Sequence, residues 1–277
     1  MPEITAAAVK ALRDRTNLPM MDCKKALEEA GGDADKAIEL LRRKGKKTYE
    51  SRAGRETSTG RIAVCVRAEP AVAAMVELRC ESAPVVSNEG FVRLANDLAR
   101  QLAEGPGAAT PDELLAQPSP GNPAQSLRDQ LDGLFNRIRE VFRVQRIVRL
   151  EGPCAGYAHH TGGVGVLLEV AGSADATLAK DFCMHVAAMR PRVVSPADLD
   201  PAAVDKEREI LKEAARKEGK PEKIIEKMVE GRLRDFYAQQ CLTEQAFVKD
   251  NTKTVGKVAQ AAGMQLVRFI HWELGKE

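Results

Sequence analysis

The chain has 277 residues, of which 44% are hydrophobic, and its 42 Lys and Arg residues nearly balance its 40 Asp and Glu residues. A chain of this length can bury a sizeable core and form two or three domains, and its net charge of +2 gives no reason to expect a nucleic-acid partner. No apolar run reaches the roughly 18 residues that span a bilayer, and the N-terminus lacks the basic and apolar regions of a signal peptide, so we expect a cytoplasmic protein that does not enter a membrane.

Residues 1–45 predict a small domain of three short helices. Thr5 is a plausible N-cap for the first helix, which carries Val9 and Leu12 on one face. Pro19 suits the first turn of the second helix, because the N–H that proline lacks has no helical partner there. Three helices of this size form only a small core, and such a unit usually exists to bind something.

The limits of the third helix are also marked in the sequence. Gly31-Gly32 can end the second helix in the left-handed conformation, and Asp33 then caps the third. Four apolar residues of the third helix fall near one stripe: Ala37, Ile38, Leu40 and Leu41. A basic run follows, as is typical of the C-terminal end of a helix, so we expect the helix to end by Gly45 and a polar linker to occupy residues 46–60.

Beyond the linker, residues 61–66 and 74–80 predict two paired strands, and residues 89–103 predict an amphipathic helix. Residues 103–121 contain many of the prolines and glycines, so they predict a loop with at most a short helix at 111–116. The same order then returns, with a predicted hairpin at 154–170 followed by a helix at 174–189. The chain therefore contains two copies of one pattern.

The two copies also end alike. A helix at 138–142 leads into a strand at 144–150 and then a glycine, and residues 258–275 repeat that order. We place the two modules at residues 61–143 and 144–277. The predicted fold class is α+β, in which each module is a small antiparallel sheet covered by helices on one side.

An insertion in the second module, residues 203–239, predicts an antiparallel helical hairpin. Its turn is Glu218-Gly219-Lys220-Pro221, in which a helix-terminating glycine precedes an initiating proline. The two arms offer a narrow apolar seam of Val204, Ile210 and Leu211 on one side and Ile224, Ile225, Met228 and Val229 on the other. Because the remaining faces are charged, the hairpin should project into solvent.

The six cysteines stand singly and form no C-x-x-C pair, which argues against a zinc site and against a disulfide framework. The four histidines lack ligand spacing, so we expect no metal site and no cofactor. The chain has neither a Walker-type phosphate loop nor a G-x-G-x-x-G that opens a helix. We therefore expect that it does not bind a nucleotide directly.

One long and unusual string is Thr16-Asn17-Leu18-Pro19-Met20-Met21-Asp22-Cys23-Lys24-Lys25-Ala26-Leu27, followed by the double glycine at 31–32. It resembles the N-terminal signature of the elongation factor Ts family. Residues 219–232 and 242–256 are similar to the family's hairpin and to the segment after it, so the resemblance covers nearly the whole chain. It implies a UBA-like N-terminal domain and a guanine-nucleotide exchange factor for the translational GTPase elongation factor Tu.

The resemblance also implies where the GTPase would be contacted. Met184-His185-Val186-Ala187-Ala188 is similar to the family's Met-His-Ile-Ala-Ala segment, which lies at that contact. The expected contact residues are Met20, Met21, Asp22 and Cys23 in the N-terminal helices and Met184, His185 and Ala188 in this segment. Without the resemblance, the two N-terminal methionines could equally fill a core, and His185 would be interpreted as a hydrogen-bonded helix histidine.

One predicted contact loop departs from the family. Where the family has Thr-Asp-Phe-Val after a Cys-x pair, this chain has Ser82-Ala83-Pro84-Val85 after Cys80-Glu81. The resemblance implies that the Asp-Phe pair of the family intrudes beside the magnesium site of the GTPase and disturbs its phosphate contacts. Ala83 and Pro84 offer neither a carboxylate nor an aromatic ring. We expect Ser82–Val85 to bind the partner, with a mechanism that is not a copy of the family's.

Two other classes of function stay open. An enzyme would need a nucleophile and a base, and the one thiol and imidazole pair that can be nominated is Cys80, beside Glu81, with the distant His185, whose spacing is nonspecific. We therefore do not expect an enzyme. The more serious alternative is a binding module or adaptor of a translational GTPase without exchange activity, in which the altered loop has abolished exchange while the N-terminal helices still bind. The expected partner is elongation factor Tu in its GDP-bound and nucleotide-free forms.

Overall fold

The computed structural model describes residues 4–16, 18–52, 54–173, 175–219 and 221–276. Asn17 of the signature string, Ala174 at the predicted start of a helix and Lys220 in the predicted turn lie outside the described residues. Helices and antiparallel strands make up the described chain, so the α+β class predicted from the sequence is confirmed. Within this described part, no helix is both long enough and apolar enough to cross a membrane.

The N-terminal helices are α1 (Ala6–Thr16), α2 (Met20–Glu29) and α3 (Ala34–Arg52). Two predicted caps are confirmed, since Thr5 accepts a hydrogen bond from the Ala8 N–H and Asp33 accepts one from the Lys36 N–H. Gly31 and Gly32 have φ of 65° and 89°, as a left-handed helix end requires. The apolar faces meet in a small core of Val9, Leu12, Leu18, Cys23, Ala26, Leu27, Ala37 and Leu41.

The first sheet has the order β1-β2-β5, with all neighbours antiparallel. Its strands are β1 (Thr59–Arg67), β2 (Val72–Cys80) and β5 (Arg143–Glu151). The elements between β2 and β5 are α4 (Glu89–Glu104), α5 (Pro111–Leu115), β3 (Pro118–Ser119), β4 (Asn122–Ser126) and α6 (Leu127–Ile138). Apolar residues of α4 and α6 cover one face of the sheet. The predicted strand pair and the predicted helix α4 are confirmed.

The second sheet has the order β10-β7-β6 and is also antiparallel. Its strands are β6 (Cys154–Ala158), β7 (Val164–Gly172) and β10 (Met264–Glu273). The other elements of this half are α7 (Ala176–Met189), α8 (Pro201–Lys217), α9 (Glu222–Gln240), β8 (Ala246–Phe247), β9 (Asp250–Thr254) and α10 (Val255–Ala261). Helix, short hairpin, helix and strand thus follow in the same order as in the first half.

Two boundaries differ from the sequence-based expectation. β5 pairs with β2 along its length, so the strand that the predicted boundary at Val144 assigns to the second module belongs to the first sheet. α6 ends at Ile138 and Arg139 follows with φ of 66°, so the helix expected at 138–142 is not formed. The pairing of β5 with β2 and the left-handed backbone of Arg139 both depend on contacts that the local sequence pattern does not contain.

α3 is longer than predicted, and the expectation that it ends by Gly45 is wrong. The helix continues to Arg52, so residues 46–52 of the predicted linker are helical. Gly45 is buried, and a Cβ at this position would collide with the side chain of Asn136 on α6. Tyr49 then packs edge-on against Phe135 with ring centroids 5.1 Å apart. The glycine allows α3 to approach α6 closely, and it does not terminate the helix.

The helical hairpin α8–α9 forms as predicted, but its seam is narrower. Ala215, Ile225, Val229 and Leu233 are its buried core, with Leu211 packed against them. Ile210 and Ile224 were assigned to the seam and are instead 50% and 48% exposed. Ile210 precedes Leu211 and Ile224 precedes Ile225, which are both in the seam. Consecutive side chains on a helix with 3.6 residues per turn point in different directions, so Ile210 and Ile224 face away from the partner arm.

The two sheets pack face to face, a contact that the sequence did not predict. Ile62, Met75 and Leu167 are buried between them together with Ala73 and Leu150. A Cβ on Gly156 would lie 2.6 Å from Val64, and one on Gly165 would lie 2.6 Å from the Met75 sulfur. These two glycines of the second sheet therefore set how closely the sheets approach. Helices cover the outer face of each sheet, as expected.

We expect Gly165→Ala to lower the free energy of unfolding by about 1–3 kcal/mol, because the added methyl overpacks the contact between the sheets. Gly163→Ala is the matched control, since a Cβ there meets only the Thr161 hydroxyl, at 3.7 Å. Urea unfolding of the two variants and the parent protein measures the difference. If Gly165→Ala were as stable as Gly163→Ala, the sheets would not be in the close contact described.

Candidate functional site

The Ser82–Val85 loop directly follows β2 and begins a short 3-10 helix, Ala83–Ser87. Ala83 and Pro84 are exposed, whereas Val85 is buried in the core of the first module. Ser82 is held from both its backbone and its side chain: its N–H donates to Glu140 Oε2 at 3.0 Å, and its hydroxyl donates to Glu140 Oε1. The loop thus presents a small, rigid, apolar tip above a polar anchor.

Glu81, two residues before Ala83, does not supply the carboxylate that the loop lacks. Its Oε1 accepts the Val141 N–H at 2.7 Å, and its Oε2 accepts from Arg55 at 3.0 Å. Burial acts to raise the pKa of Glu81, but these two hydrogen bonds outweigh it and the pKa lies below its usual range. The carboxylate is therefore charged and already satisfied within the protein.

The N-terminal signature residues divide between surface and core. Met20 and Met21 are 47% and 60% exposed, so they do not fill the core of the three helices. Asp22 forms an ion pair with Arg139 at 2.7 Å. Cys23 is fully buried, with its sulfur 3.6 Å from the Thr16 hydroxyl. The side chain of Cys23 completes the helical core and is not exposed at the surface, so its predicted contact with a partner stays a prediction.

His185 lies on α7 and is also fully buried. One ring nitrogen, Nε2, is 2.9 Å from the Gln245 side-chain oxygen, and Nδ1 accepts the Val248 N–H at 3.3 Å. An imidazole that accepts at one nitrogen and donates at the other is neutral. Burial lowers the pKa of His185 in agreement with this, although the hydrogen bond to Gln245 opposes the shift. His185 is thus a hydrogen-bonded helix histidine that orders the chain at Val248.

The exposed groups near His185 offer a surface on this part of the second module. Met184 is half-buried and Ala188 is exposed. Met189 and Val248 are each 48% exposed, and neither was named from the sequence. The buried imidazole is bonded to the Val248 backbone, so it holds one part of this apolar surface in place. In the segment predicted from the sequence, His185 is thus buried, whereas Ala188 is exposed at the surface.

The arrangement does not favour enzyme chemistry at the nominated thiol. Cys80 lies in the buried core of the first module, while His185 packs beside Phe247 in the second. Burial raises the pKa of the Cys80 thiol, although a hydrogen bond with Thr59 acts in the opposite direction. All six cysteines are free thiols, and among the described residues no cluster of His, Cys, Asp and Glu could hold a metal ion.

Arg139 and Glu140 were missed by the sequence analysis, although they touch two of the candidate surfaces. Arg139 bonds to Asp22 from 117 positions away, and Glu140 bonds to Ser82 from 58 positions away. Arg139 also has a left-handed backbone, a position where glycine or asparagine is the usual residue. No local spacing or motif marks either residue.

Comparison with known proteins gives a consistent result over the whole chain. The family model described as "Elongation factor TS" matches residues 84–276. The chain is 41% identical to the elongation factor Ts of Thioalkalivibrio sulfidiphilus, with 99% of this chain and 92% of the relative covered. It is 40% identical to that of Methylococcus capsulatus and 38% identical to that of Clostridium botulinum strain Alaska E43, again over 99% of this chain and over 92% and 93% of the relatives.

The buried imidazole of His185 gives a prediction for pH dependence. Its pKa is lowered in the folded protein, so its contribution to stability is complete above about pH 6.5, the unfolded value, and is lost as the pH falls from there through the folded value. We expect His185→Gln to be less stable near pH 7.5 but to lose less free energy of unfolding between about pH 7.5 and about pH 5.5. His271, whose pKa is also lowered, is retained in both proteins.

Urea unfolding at the two pH values tests this prediction. An equal loss of free energy in the parent protein and in His185→Gln would show that His185 does not titrate differently in the folded and unfolded states.

Proposed function

The chain belongs to the elongation factor Ts family, and we propose that it binds elongation factor Tu in the cytoplasm and promotes the release of GDP and the entry of GTP on that GTPase. The observation that carries this proposal is the identity of 38–41% with relatives that the chain matches over 99% of its length. The N-terminal helices and the hairpin α8–α9 both lie within these matches. The partner and the exchange activity come to this chain through the family.

An exchange factor needs contact area and no covalent chemistry. A nucleotide bound at nanomolar affinity holds roughly 12 kcal/mol of binding free energy. A partner that binds the nucleotide-free GTPase more tightly must weaken nucleotide binding by the same factor, because the coupling is reciprocal. Three candidate surfaces support this role: the exposed pair Met20–Met21 on α2, the exposed pair Ala83–Pro84 after β2, and exposed Ala188 with half-buried Met184 on α7.

The loop at Ala83–Pro84 is the part of this chain that departs from the family's sequence pattern. Magnesium bridges the phosphates of the bound nucleotide, so any displacement of its ligands accelerates GDP release. Ala83 and Pro84 cannot place a charge or an aromatic ring at that site. We propose that the loop acts by its position, as a rigid wedge fixed through Ser82 and Glu140, and that the other surfaces supply most of the affinity.

We expect the protein to accelerate release of labelled GDP from its cognate elongation factor Tu at substoichiometric concentration, as measured by stopped-flow fluorescence. Met20→Ser combined with Met21→Ser should weaken binding to the nucleotide-free GTPase by about fivefold or more, the typical loss at a well-packed contact. Val267→Ser is the matched control, because Val267 is a similarly exposed apolar residue (43%) on β10.

An unchanged rate of GDP release at saturating protein would contradict the exchange function. If the protein still bound the GTPase tightly in that experiment, the alternative of an adaptor without exchange activity would be the correct one. Equal effects of the methionine substitutions and of the Val267 control would remove the N-terminal helices from the contact.

The loop is tested by Ala83→Asp and Pro84→Phe, singly and together. The double variant restores the Asp and Phe that the family has at these positions. If the native loop has lost a magnesium-disturbing role, the double variant will change the dependence of exchange on free magnesium more than it changes the affinity for the nucleotide-free GTPase. A loop that instead fits a matching surface will lose affinity directly, by about 1–3 kcal/mol from overpacking, with magnesium dependence unchanged. Exchange rates measured across a magnesium titration, together with calorimetric affinities, separate the two results.

A further inference from the structure

The segment Arg139–Val141, which follows α6, contacts the N-terminal helices on one side. Arg139 Nη2 donates to Asp22 Oδ2 at 2.7 Å, and the Arg139 carbonyl accepts from Arg52 Nη1 at 2.6 Å. Asp22 directly follows the exposed pair Met20–Met21 on α2. One end of the segment is thus fixed to the surface that we assign to partner binding.

The other end of the same segment holds the Ser82–Val85 loop. The Glu140 carboxylate accepts both the backbone N–H and the hydroxyl of Ser82, and the Val141 N–H donates to Glu81. These bonds fix the two residues immediately before Ala83. A single short segment therefore contacts two surfaces that are far apart in the sequence.

The backbone of the segment leaves it little freedom to adjust independently. Arg139 has φ of 66°, a left-handed conformation that non-glycine residues rarely adopt, and its N–H bonds to the Phe135 carbonyl at the end of α6. Val141 and the next residue, Phe142, are buried in the core of the first module. The Arg139 carbonyl that accepts from Arg52 belongs to the peptide that carries the Glu140 N–H, so α3 contacts the backbone directly beside Glu140.

From these contacts we propose that Arg139–Val141 is a coupling segment, through which the docking of the N-terminal helices sets the position of the Ala83–Pro84 wedge. Its functional meaning rests on the proposed exchange function. Asp22 is the switchable contact, since the ion pair with Arg139 is about one-third exposed on each side chain and accessible to a partner at Met20–Met21. Engagement of the N-terminal helices is then transmitted to the loop through this segment.

The coupling can be measured in the full-length protein without the GTPase, by hydrogen exchange at the Ser82 amide. The substitution Asp22→Asn removes the charge that holds Arg139. Asp22 lies on α2, which is a different element from the loop. We expect Asp22→Asn to speed exchange of the Ser82 N–H by about two- to fivefold, the range for loss of a partly exposed ion pair. Asp22→Glu, which keeps the carboxylate, should restore much of the protection.

Glu29→Gln is the matched control. It breaks an ion pair with Lys44 of similar length, 2.6 Å, within the same three helices, and Glu29 has no bond to Arg139. The control should leave Ser82 exchange unchanged. Equal Ser82 exchange in Asp22→Asn and in the parent protein would overturn the proposal, and so would equal acceleration in Asp22→Asn and Glu29→Gln, since that would indicate general loosening.

GDP release assays with the same variants separate this inference from the proposed function. Faster Ser82 exchange with slower GDP release at saturating Asp22→Asn, where a loss of direct contact at Asp22 no longer limits binding, supports the coupling and its use in exchange. If the parent protein does not accelerate GDP release, the proposed function fails, whereas the hydrogen-exchange result still decides whether the segment couples the two surfaces.

Discussion

The face-to-face packing of the two sheets holds the rest of the molecule in place. β2 and β7 are each buried on both faces, by helices on the outside and by the opposing sheet on the inside. Such packing requires small residues at the closest approach, which Gly156 and Gly165 provide. Because the Ser82–Val85 loop follows β2 and α7 packs on β7, this one contact fixes the spacing between surfaces from two different modules.

A buried charge network closes the edge of the same contact. Glu77 on β2 is fully buried and pairs with Arg79 and Arg146, each at 2.6 Å. Arg146 also stacks over Trp272, 4.5 Å from its ring centroid, and donates to the Glu273 carbonyl. A buried carboxylate must be paired to be tolerated, so the network demands one alignment of the two sheets. Glu273 extends it to Arg190, at the end of α7.

The candidate site therefore consists of exposed side chains carried by the rigid pair of packed sheets and the helices around them. Met21, Pro84 and Ala188, which we propose contact the partner, are exposed, whereas the residues just behind them are bonded within the protein. His185 supports the α7 surface, Glu140 anchors the loop, and Asp22 is bonded to Arg139. Exposed side chains held in place by bonded residues suit a protein that acts through shape and coupling free energy. The contact residues are already positioned before binding, so little conformational entropy is lost when the partner binds.

The sequence by itself determined α1, α2, α4, α7 and the helical hairpin, the strand pairs β1–β2 and β6–β7, the repeated order and the family, because turn residues, caps and apolar periodicity act over a few neighbouring positions. It also identified Met20, Met21 and the altered loop, since those strings are contiguous. Only the tertiary structure decided that β5 completes the first sheet, that α3 continues past Gly45, that Cys23 is core, that Arg139 holds Asp22 and that Glu140 holds the loop. Each of these depends on a partner from another part of the chain, as with Arg139 and Asp22, 117 positions apart, and no local pattern encodes such a contact.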